Sequence, residues 1–271
     1  MATTPTRPLA LVTGASSGIG RELALLLAAE GYDLVITAED DALDDARAEV
    51  EAAGAGTVEA PRLDLTRDED VDLLVRHVRE TGRGLDIAAL NAGAGAGGAF
   101  ATGTDLADEL RIVDLNVRST VHLAKHVTRD MVRRDHGRIL FTSSIAATMP
   151  GSYQAVYNAS KSFVQSFALA LRDELRETAV TVTALMPGPT DTEFFARADM
   201  LDTQVGAGEK ADAATVAADG YAALMDGDER VVSGDLSTRA QALASRVLPD
   251  RVKAAMHRRQ AEPGSADRDE R

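Results

Sequence analysis

Three polar side chains in the stretch FTSSIAATMPGSYQAVYNASK, residues 141–161, have types and spacing suited to proton transfer: Ser144, Tyr157 and Lys161. Tyr157 and Lys161 are four residues apart, which on a helix sets a phenol and an ammonium on one face. Such a cation stabilises phenolate and lowers the tyrosine pKa from its ordinary value of about 10. A phenol so tuned exchanges protons with an alcohol or a carbonyl. GRILFTSS reads as a strand ending at Ser143 and Ser144, so at least one of the two hydroxyls is expected at the carboxyl end of the sheet, where open α/β sheets bind ligands. There it would hydrogen-bond a substrate oxygen and stabilise charge that develops on it. Taken alone, a Tyr–Lys pair on a helix reads as a snorkelling surface pair. Ser143 and Tyr153 are near-duplicates that the register assigns to lesser roles.

A second signal comes from the N-terminal stretch LALVTGASSGIGRELALLL, which places Gly14, Gly18 and Gly20 between an apolar strand and an amphipathic helix. Absent side chains let a backbone turn tightly and approach a pyrophosphate, whose charge is favoured by the free N–H groups and dipole of the helix start. Ser16 and Ser17 add hydroxyls. The spacing is G-x-x-x-G-x-G, and the turn opens the first βα unit, where dinucleotide folds hold phosphates. The other reading is a purely structural strand-to-helix turn. About twenty residues on, where a ribose-reading residue is expected, the sequence is ITAEDD. Glu39 there would accept hydrogen bonds from ribose hydroxyls and repel a 2′-phosphate. No Arg or Lys lies near it in sequence to attract one, which predicts NAD over NADP. Glu39 to Asp41 also suit the acidic start of a helix. Asp64, in RLDLT, reads either as a nucleotide contact or as a helix N-cap.

Short apolar runs alternate with longer segments of helical period, the pattern of βαβ units. Residues 9–12, 33–37, 58–63, 85–90, 138–142, 181–185 and 230–232 read as strands, several too continuously apolar for a one-sided sheet. The expected fold is therefore a single Rossmann-type, doubly wound parallel sheet of about seven strands with helices on both faces. The first helix, residues 18–30, should stop at Gly31 in a left-handed cap. Two long segments, 105–134 and 152–177, exceed ordinary helix length, and a homodimer or homotetramer through them is expected.

All 271 residues read as one domain, with a core over about 8–235. A substrate loop is expected over about 189–213, where periodicity is lost. A C-terminal helical extension and a tail disordered over 261–271 follow. The count of 29 basic against 43 acidic residues gives −14, a field that repels nucleic acid and anionic lipid. There is no cysteine, which removes disulfides, thiolate nucleophiles and cysteine-ligated zinc. No apolar run approaches the ~20 residues that span a bilayer, so a cytoplasmic protein is expected. His122 and His126 stand at i, i+4, but no acidic residue is placed as H-E-x-x-H requires, and no metal is expected. The basic run 251–259 reads as a helix making intersubunit or solvent contacts.

Taken in chain order, TGASSGIG at 13–20, Asp64, NAG at 91–93, Asn116 in LNV, Ser144, YNASK at 157–161 and MPGPTDT at 186–192 resemble the short-chain dehydrogenase/reductase family over roughly residues 8–235. The resemblance implies Tyr157 as general acid/base, Ser144 as partner of the substrate oxygen, and Lys161 as the residue that binds the nicotinamide ribose and depresses the tyrosine pKa. It implies a relay water on Asn116. Gly14, Ser17, Ile19 and Gly20 would line the pyrophosphate, Asp64 and Leu65 the adenine, and Asn91, Ala92 and Gly93 the ribose side. Pro187, Gly188, Thr190 and Thr192 would meet the nicotinamide. Asn116 also reads as a helix-bending contact, and the two threonines as turn-shaping residues. Leu90 departs from the family, which more often has a second asparagine there. Phe194, Phe195, Met200 and Leu201 either cover an apolar ligand or pack onto the core. The implied activity is NAD(H)-dependent interconversion of a secondary alcohol and a ketone. An NADPH-dependent carbonyl reductase and a non-catalytic nucleotide sensor or scaffold are the alternatives.

Overall fold

The computed structural model describes residues 7–235, 238, 240, 241, 244 and 247–266. Seven strands, β1 (Leu9–Thr13), β2 (Asp33–Thr37), β3 (Val58–Glu59), β4 (Ile87–Leu90), β5 (Gly137–Thr142), β6 (Val180–Pro187) and β7 (Arg230–Ser233), form one sheet. Its order is β3-β2-β1-β4-β5-β6-β7, and every pairing is parallel. The chain builds outward from β1 to β3, then crosses back to place β4 on the other side of β1. The carboxyl ends of β1 and β4 therefore open a crevice, the usual ligand position in such sheets.

Helices cover both faces, which explains why β1 and β2 are buried at every position. Leu9 and Leu11 face a core shared with α3 (Asp68–Glu80), α5 (Thr120–Arg134) and α6 (Ala155–Glu174). Ala10 and Val12 face the opposite core, under α1 (Gly18–Ala29), α2 (Ala42–Ala52) and α9 (Ala213–Asp226). Gly31 takes φ +88° just past α1, and the Gly31 and Tyr32 N–H groups close the helix end on Ala28 and Leu27 carbonyls, as expected of a left-handed cap.

The third strand is far shorter than the 58–63 run expected. Pro61 has no N–H to give the ladder, and only an isolated bridge, Ala38 to Arg62, follows Val58–Glu59. The long 105–134 segment is helical from α4 (Leu106–Val113) into α5, with a π-helical turn at Asp114–Ser119 between them. The 189–213 segment carries two short helices, α7 (Phe194–Arg197) and α8 (Gln204–Ala207), and its stem is closed by Ala211 N–H on the Pro189 carbonyl at 2.8 Å.

The disordered tail expected from 261 onward is corrected for residues 261–266. Helix α10 (Asp250–Ala261) buries His257 and Ala261, and beyond it Ser265 Oγ accepts from Gln204 N–H at 2.9 Å while Gly264 N–H donates to Asp202. Residues 267–271 of that tail lie outside the described residues. The basic run is likewise only partly a solvent face, since Arg258 lies over the Tyr153 ring. Among the described residues no helix is long and apolar enough to cross a membrane.

Candidate active site

A cleft of about 1180 Å³ runs along the carboxyl edge of the sheet, from Glu39 and Asp64 at one end to Tyr157 and α10 at the other. Its floor begins at the glycine turn. A Cβ on Gly14, which has φ +66°, would lie 2.9 Å from Ala92 Cα, and one on Gly20 would lie 2.0 Å from the Gly14 carbonyl oxygen. The turn is therefore packed backbone to backbone against the segment after β4. Ser17 is the N-cap residue of α1, but its hydroxyl makes no cap bond, so the first-turn N–H groups and this hydroxyl are left for an anion. Ser16 Oγ is committed to Asp40 at 3.0 Å.

The far end differs from expectation in its charge. Glu39, Asp40 and Asp41 each meet an arginine from elsewhere in the chain: Arg111 of α4, Arg197 of α7 and Arg62 respectively. Arg111 also lies 3.7 Å from Asp64, so it spans the gap between the two acidic groups. The cation missing near Glu39 in sequence is thus supplied from 72 residues away, and no local pattern announces it. Asp64 does not cap α3, whose N-cap is Arg67. Its Oδ1 accepts from the Thr66 N–H at 3.0 Å and the Thr66 hydroxyl at 2.7 Å. Burial works against the Asp64 charge, but those bonds and Arg111 outweigh it and hold the carboxyl below the usual range. Leu65 is buried beside it and lines the cleft.

Asn91 joins three strand ends. Its Nδ2 donates to the Thr13 and Gly14 carbonyls, at 3.2 and 3.4 Å, and its Oδ1 accepts from Thr142 Oγ1 at 3.0 Å. Asn116, in the π-helical turn, is 1% exposed and stands behind the cleft wall. Its Oδ1 accepts from Ala94 N–H, and its Nδ2 donates to the Ala94 carbonyl and to Ser160 Oγ, all at 2.9 Å. Both amide donors are used within the chain, so the side-chain-to-backbone contact is present. A Cβ on Gly93 would lie 3.0 Å from Lys161 Nζ and 3.2 Å from Asn116 Oδ1. These two polar groups converge on the space that Gly93 leaves.

Ser144, Tyr157 and Lys161 share one wall of the cleft. Ser144 Oγ accepts from Ala146 N–H at 3.1 Å, faces the Pro187 carbonyl at 3.5 Å, and is near enough to the phenol to pull its pKa down. The depressed tyrosine expected from sequence is not what this structure has. Although an edge of Tyr157 opens on the cleft, burial pushes its phenol up to about 12, against the smaller effect of Ser144. Burial likewise pushes Lys161 down to about 8. The Lys161 ammonium donates to the Thr142 carbonyl at 2.9 Å and lies 5.9 Å from the Tyr157 ring centre. Desolvation is the dominant influence on both groups. Ser143 and Tyr153 are structural: Ser143 Oγ donates to the Lys161 carbonyl, and Tyr153 Oη to Glu262.

The other sequence-predicted groups also line the cleft: Gly18, Ile19, Ala92, Pro187, Gly188, Thr190 and Thr192, with only Gly20 and Asn116 behind it. Thr190 Oγ1 donates to the Gly188 carbonyl and Thr192 Oγ1 accepts from Phe194 N–H, so both shape the loop as well. Phe194 packs on Tyr157, with ring centres 5.1 Å apart. Phe195 and Met200 are buried and Leu201 is exposed. His122 and His126 do gain a carboxylate, Asp72 of α3, with ligand atoms within 4.8 Å. Asp72 is already paired with His122, and the Arg79 guanidinium stands 3.5 Å from His126, where it opposes a second cation. Sequence reasoning missed Arg111 and His257, whose links to the site are contacts distant along the chain.

Known proteins place this geometry. The chain is 37% identical to an uncharacterised oxidoreductase of Myxococcus xanthus over 69% of its own length and 74% of that protein. It superposes on a short-chain dehydrogenase from Sphingobium yanoikuyae in complex with NADPH with a TM-score of 0.78 and 29% identity, over 88% of this chain and 93% of that one. For a short-chain dehydrogenase/reductase from Burkholderia phymatum in complex with NAD the TM-score is 0.80 at 25% identity, over 89% and 92%. The family model for short chain dehydrogenases matches residues 8–200, and with the sheet order and the Ser144, Tyr157, Lys161 wall the chain belongs to that family of oxidoreductases.

Proposed function

We propose that the chain interconverts a secondary alcohol and a ketone with NAD(H), Tyr157 acting as general acid/base. The observation that carries this reading is the convergence of Ser144, Tyr157 and Lys161 on one wall of the cleft that the glycine turn opens. The cleft suits an extended dinucleotide. Side-chain-free Gly14 and Gly18 admit backbone contact with phosphates, free donors of α1 meet their charge, and Glu39 and Asp64 stand at the ribose end. Bound there, the dinucleotide supplies or takes the hydride. In the reductive direction Ser144 Oγ holds the carbonyl oxygen, and Tyr157, protonated at neutral pH, gives its proton to the forming alkoxide. Lys161 keeps positive charge beneath them, and Asn116 acts as a positioning residue through Ala94 and Ser160.

Glu39 supports NAD, because a 2′-phosphate would meet its carboxylate. Arg111 supports the second reading, an NADPH-dependent carbonyl reductase, since it neutralises Glu39 and could turn to a phosphate. The pair is a balance that mutation tips either way. An apolar stripe, Leu106, Leu110, Val113, Val117 and Val121, runs along α4 into α5 beside Phe163 of α6, and much of it is exposed. A second copy of the chain is proposed to cover it.

Four measurements test these readings. Tyr157→Phe should bind NADH as the wild type does and lose roughly 10²- to 10⁴-fold in kcat, read as NADH consumption across a panel of ketones; wild-type rates in the variant would sink the acid/base role. Titrations should give tighter NADH than NADPH binding. Arg111→Ala, which leaves Glu39 unpaired, should widen that gap about tenfold, or 1.4 kcal/mol, and Glu39→Arg should reverse it; tighter NADPH binding by the wild type would overturn the Glu39 argument. Sedimentation should find a dimer or tetramer that Leu110→Asp dissociates, whereas a monomeric wild type removes the proposed interface.

The fourth concerns Lys161. Its folded pKa is lowered to about 8 from 10.5, so below pH 8 both folded and unfolded chains hold the proton and the burial cost, about 3 kcal/mol, is fully present. Between pH 8 and 10.5 the unfolded chain binds the proton and the folded one does not, so stability rises with pH. Relative to Lys161→Met, the wild type should gain about 2–3 kcal/mol in urea unfolding between pH 7 and pH 10. A flat difference would mean that the ammonium is not desolvated.

A further inference from the structure

Helix α10 brings His257 into the cleft from beyond the family match. The residue is 6% exposed, and its Nδ1 lies 2.9 Å from the Ser152 carbonyl. A carbonyl oxygen only accepts, so Nδ1 carries the proton. Burial lowers the His257 pKa from 6.5, against the smaller pull of the Ser152 bond, and the ring is neutral at pH 7. Nε2 is then a lone-pair acceptor. It has no hydrogen-bond partner among the described residues, yet it is not one of the sealed, unpartnered atoms of the interior.

The ring is held still. Ser152 Oγ donates to the Ala254 carbonyl, Tyr153 Oη donates to Glu262, and Ala261 packs with Phe195, Ala198 and Met200. Tyr153 takes φ +66° to do this, a strained value for a side-chain-bearing residue that tends to mark a functional region. Gln154 and Gln260 line the same cleft without charge. Gln154 Nε2 donates one of its two N–H groups to the Met200 sulfur at 2.9 Å, a weak acceptor. Apolar walls with a few placed polar groups are how small-molecule sites orient a ligand.

We propose that His257 is a substrate-recognition residue: its Nε2 accepts a hydrogen bond from a hydroxyl on the substrate, remote from the carbon that exchanges the hydride. The preferred substrates are accordingly neutral hydroxyketones and the matching diols. A carboxylate at the same position has no proton to give and is disfavoured. The inference rests on the alcohol–ketone reading above.

The test uses full-length enzyme with saturating NADH and paired ketones, from 4-hydroxycyclohexanone against cyclohexanone to hydroxydecalones against decalones. The wild type should favour at least one hydroxyketone over its deoxy partner by roughly 10- to 100-fold in kcat/KM. His257→Phe should abolish the preference through KM, with kcat, NADH affinity and turnover of the deoxy partner within about twofold, and His257→Gln, which keeps an acceptor, should restore part of it. Independently of any variant, the ¹⁵N resonance of His257 Nε2 in the NADH-loaded wild type should move with that hydroxyketone and not with its partner. A preference that survives in His257→Phe, equal losses on both partners, or deoxyketones reduced with no hydroxyl preference overturns the inference alone. A wild type that binds NADH and reduces no ketone of the set overturns the alcohol–ketone reading and the inference with it.

Discussion

The site depends on one side chain that is not in the chemistry. Asn91 ties the ends of β1, β4 and β5 by donating to the Thr13 and Gly14 carbonyls and accepting from Thr142. Each of those ends then delivers something different. The glycine turn leaves β1, Ala92 and Gly93 leave β4, and Ser143 and Ser144 leave β5. The Thr142 carbonyl in turn holds Lys161 at 2.9 Å, and Ser143 holds the Lys161 carbonyl. Parallel strands have no hairpin to set their relative ends, and the Asn91 bonds add a side-chain tie to the backbone ladders at the edge where these segments leave the sheet.

That rigidity allows an unfavourable charge arrangement to persist. Lys161 is 5% exposed, with the Thr142 carbonyl as its one hydrogen-bond partner among the described residues, and Tyr157 sits beside it with an elevated pKa. In water the two would lose nothing by separating. Here α6 carries both, Ser160 of the same helix is bonded by Asn116, and the π-helical turn that holds Asn116 is itself a departure from regular helix. π-turns of this kind concentrate at functional sites. The phenol stays protonated at neutral pH, and the ammonium loses its proton more readily than an exposed lysine does. Burial, rather than mutual attraction, sets both.

Legibility in the sequence followed the range of the interaction. The glycine turn, the strand-end serine and the i, i+4 Tyr–Lys pair are local patterns, and the structure brings all of them to one cleft. Seven parallel strands were readable because burial on both faces leaves continuous apolar runs. The length of β3 was not, since Pro61 ends the ladder although apolar content continues. The tyrosine shift was read with the wrong sign because spacing reports proximity to a cation but not how much water both groups lose. Arg111 and His257 went unread for a different reason. Their meaning depends on Glu39, 72 residues away, and on Ser152, 105 residues away, and neither pair leaves a periodic trace.

The distant contacts share a function that the local motifs cannot perform. Asp40 accepts from Ser16 of the glycine turn and also meets Arg197 of α7, so the phosphate end of the cleft is bonded to the loop that covers its other end. Phe194, the first residue of α7, lies on Tyr157, and Phe195 and Met200 pack with Ala261 of α10. A shift of α7 would therefore disturb both the ring that lies on Tyr157 and the packing of the helix that carries His257. An exposed Asp–Arg pair contributes little stability by itself. Its consequence lies in connectivity: Asp40 joins the glycine turn to α7, and α7 carries the ring that lies on Tyr157, through contacts that no short motif contains.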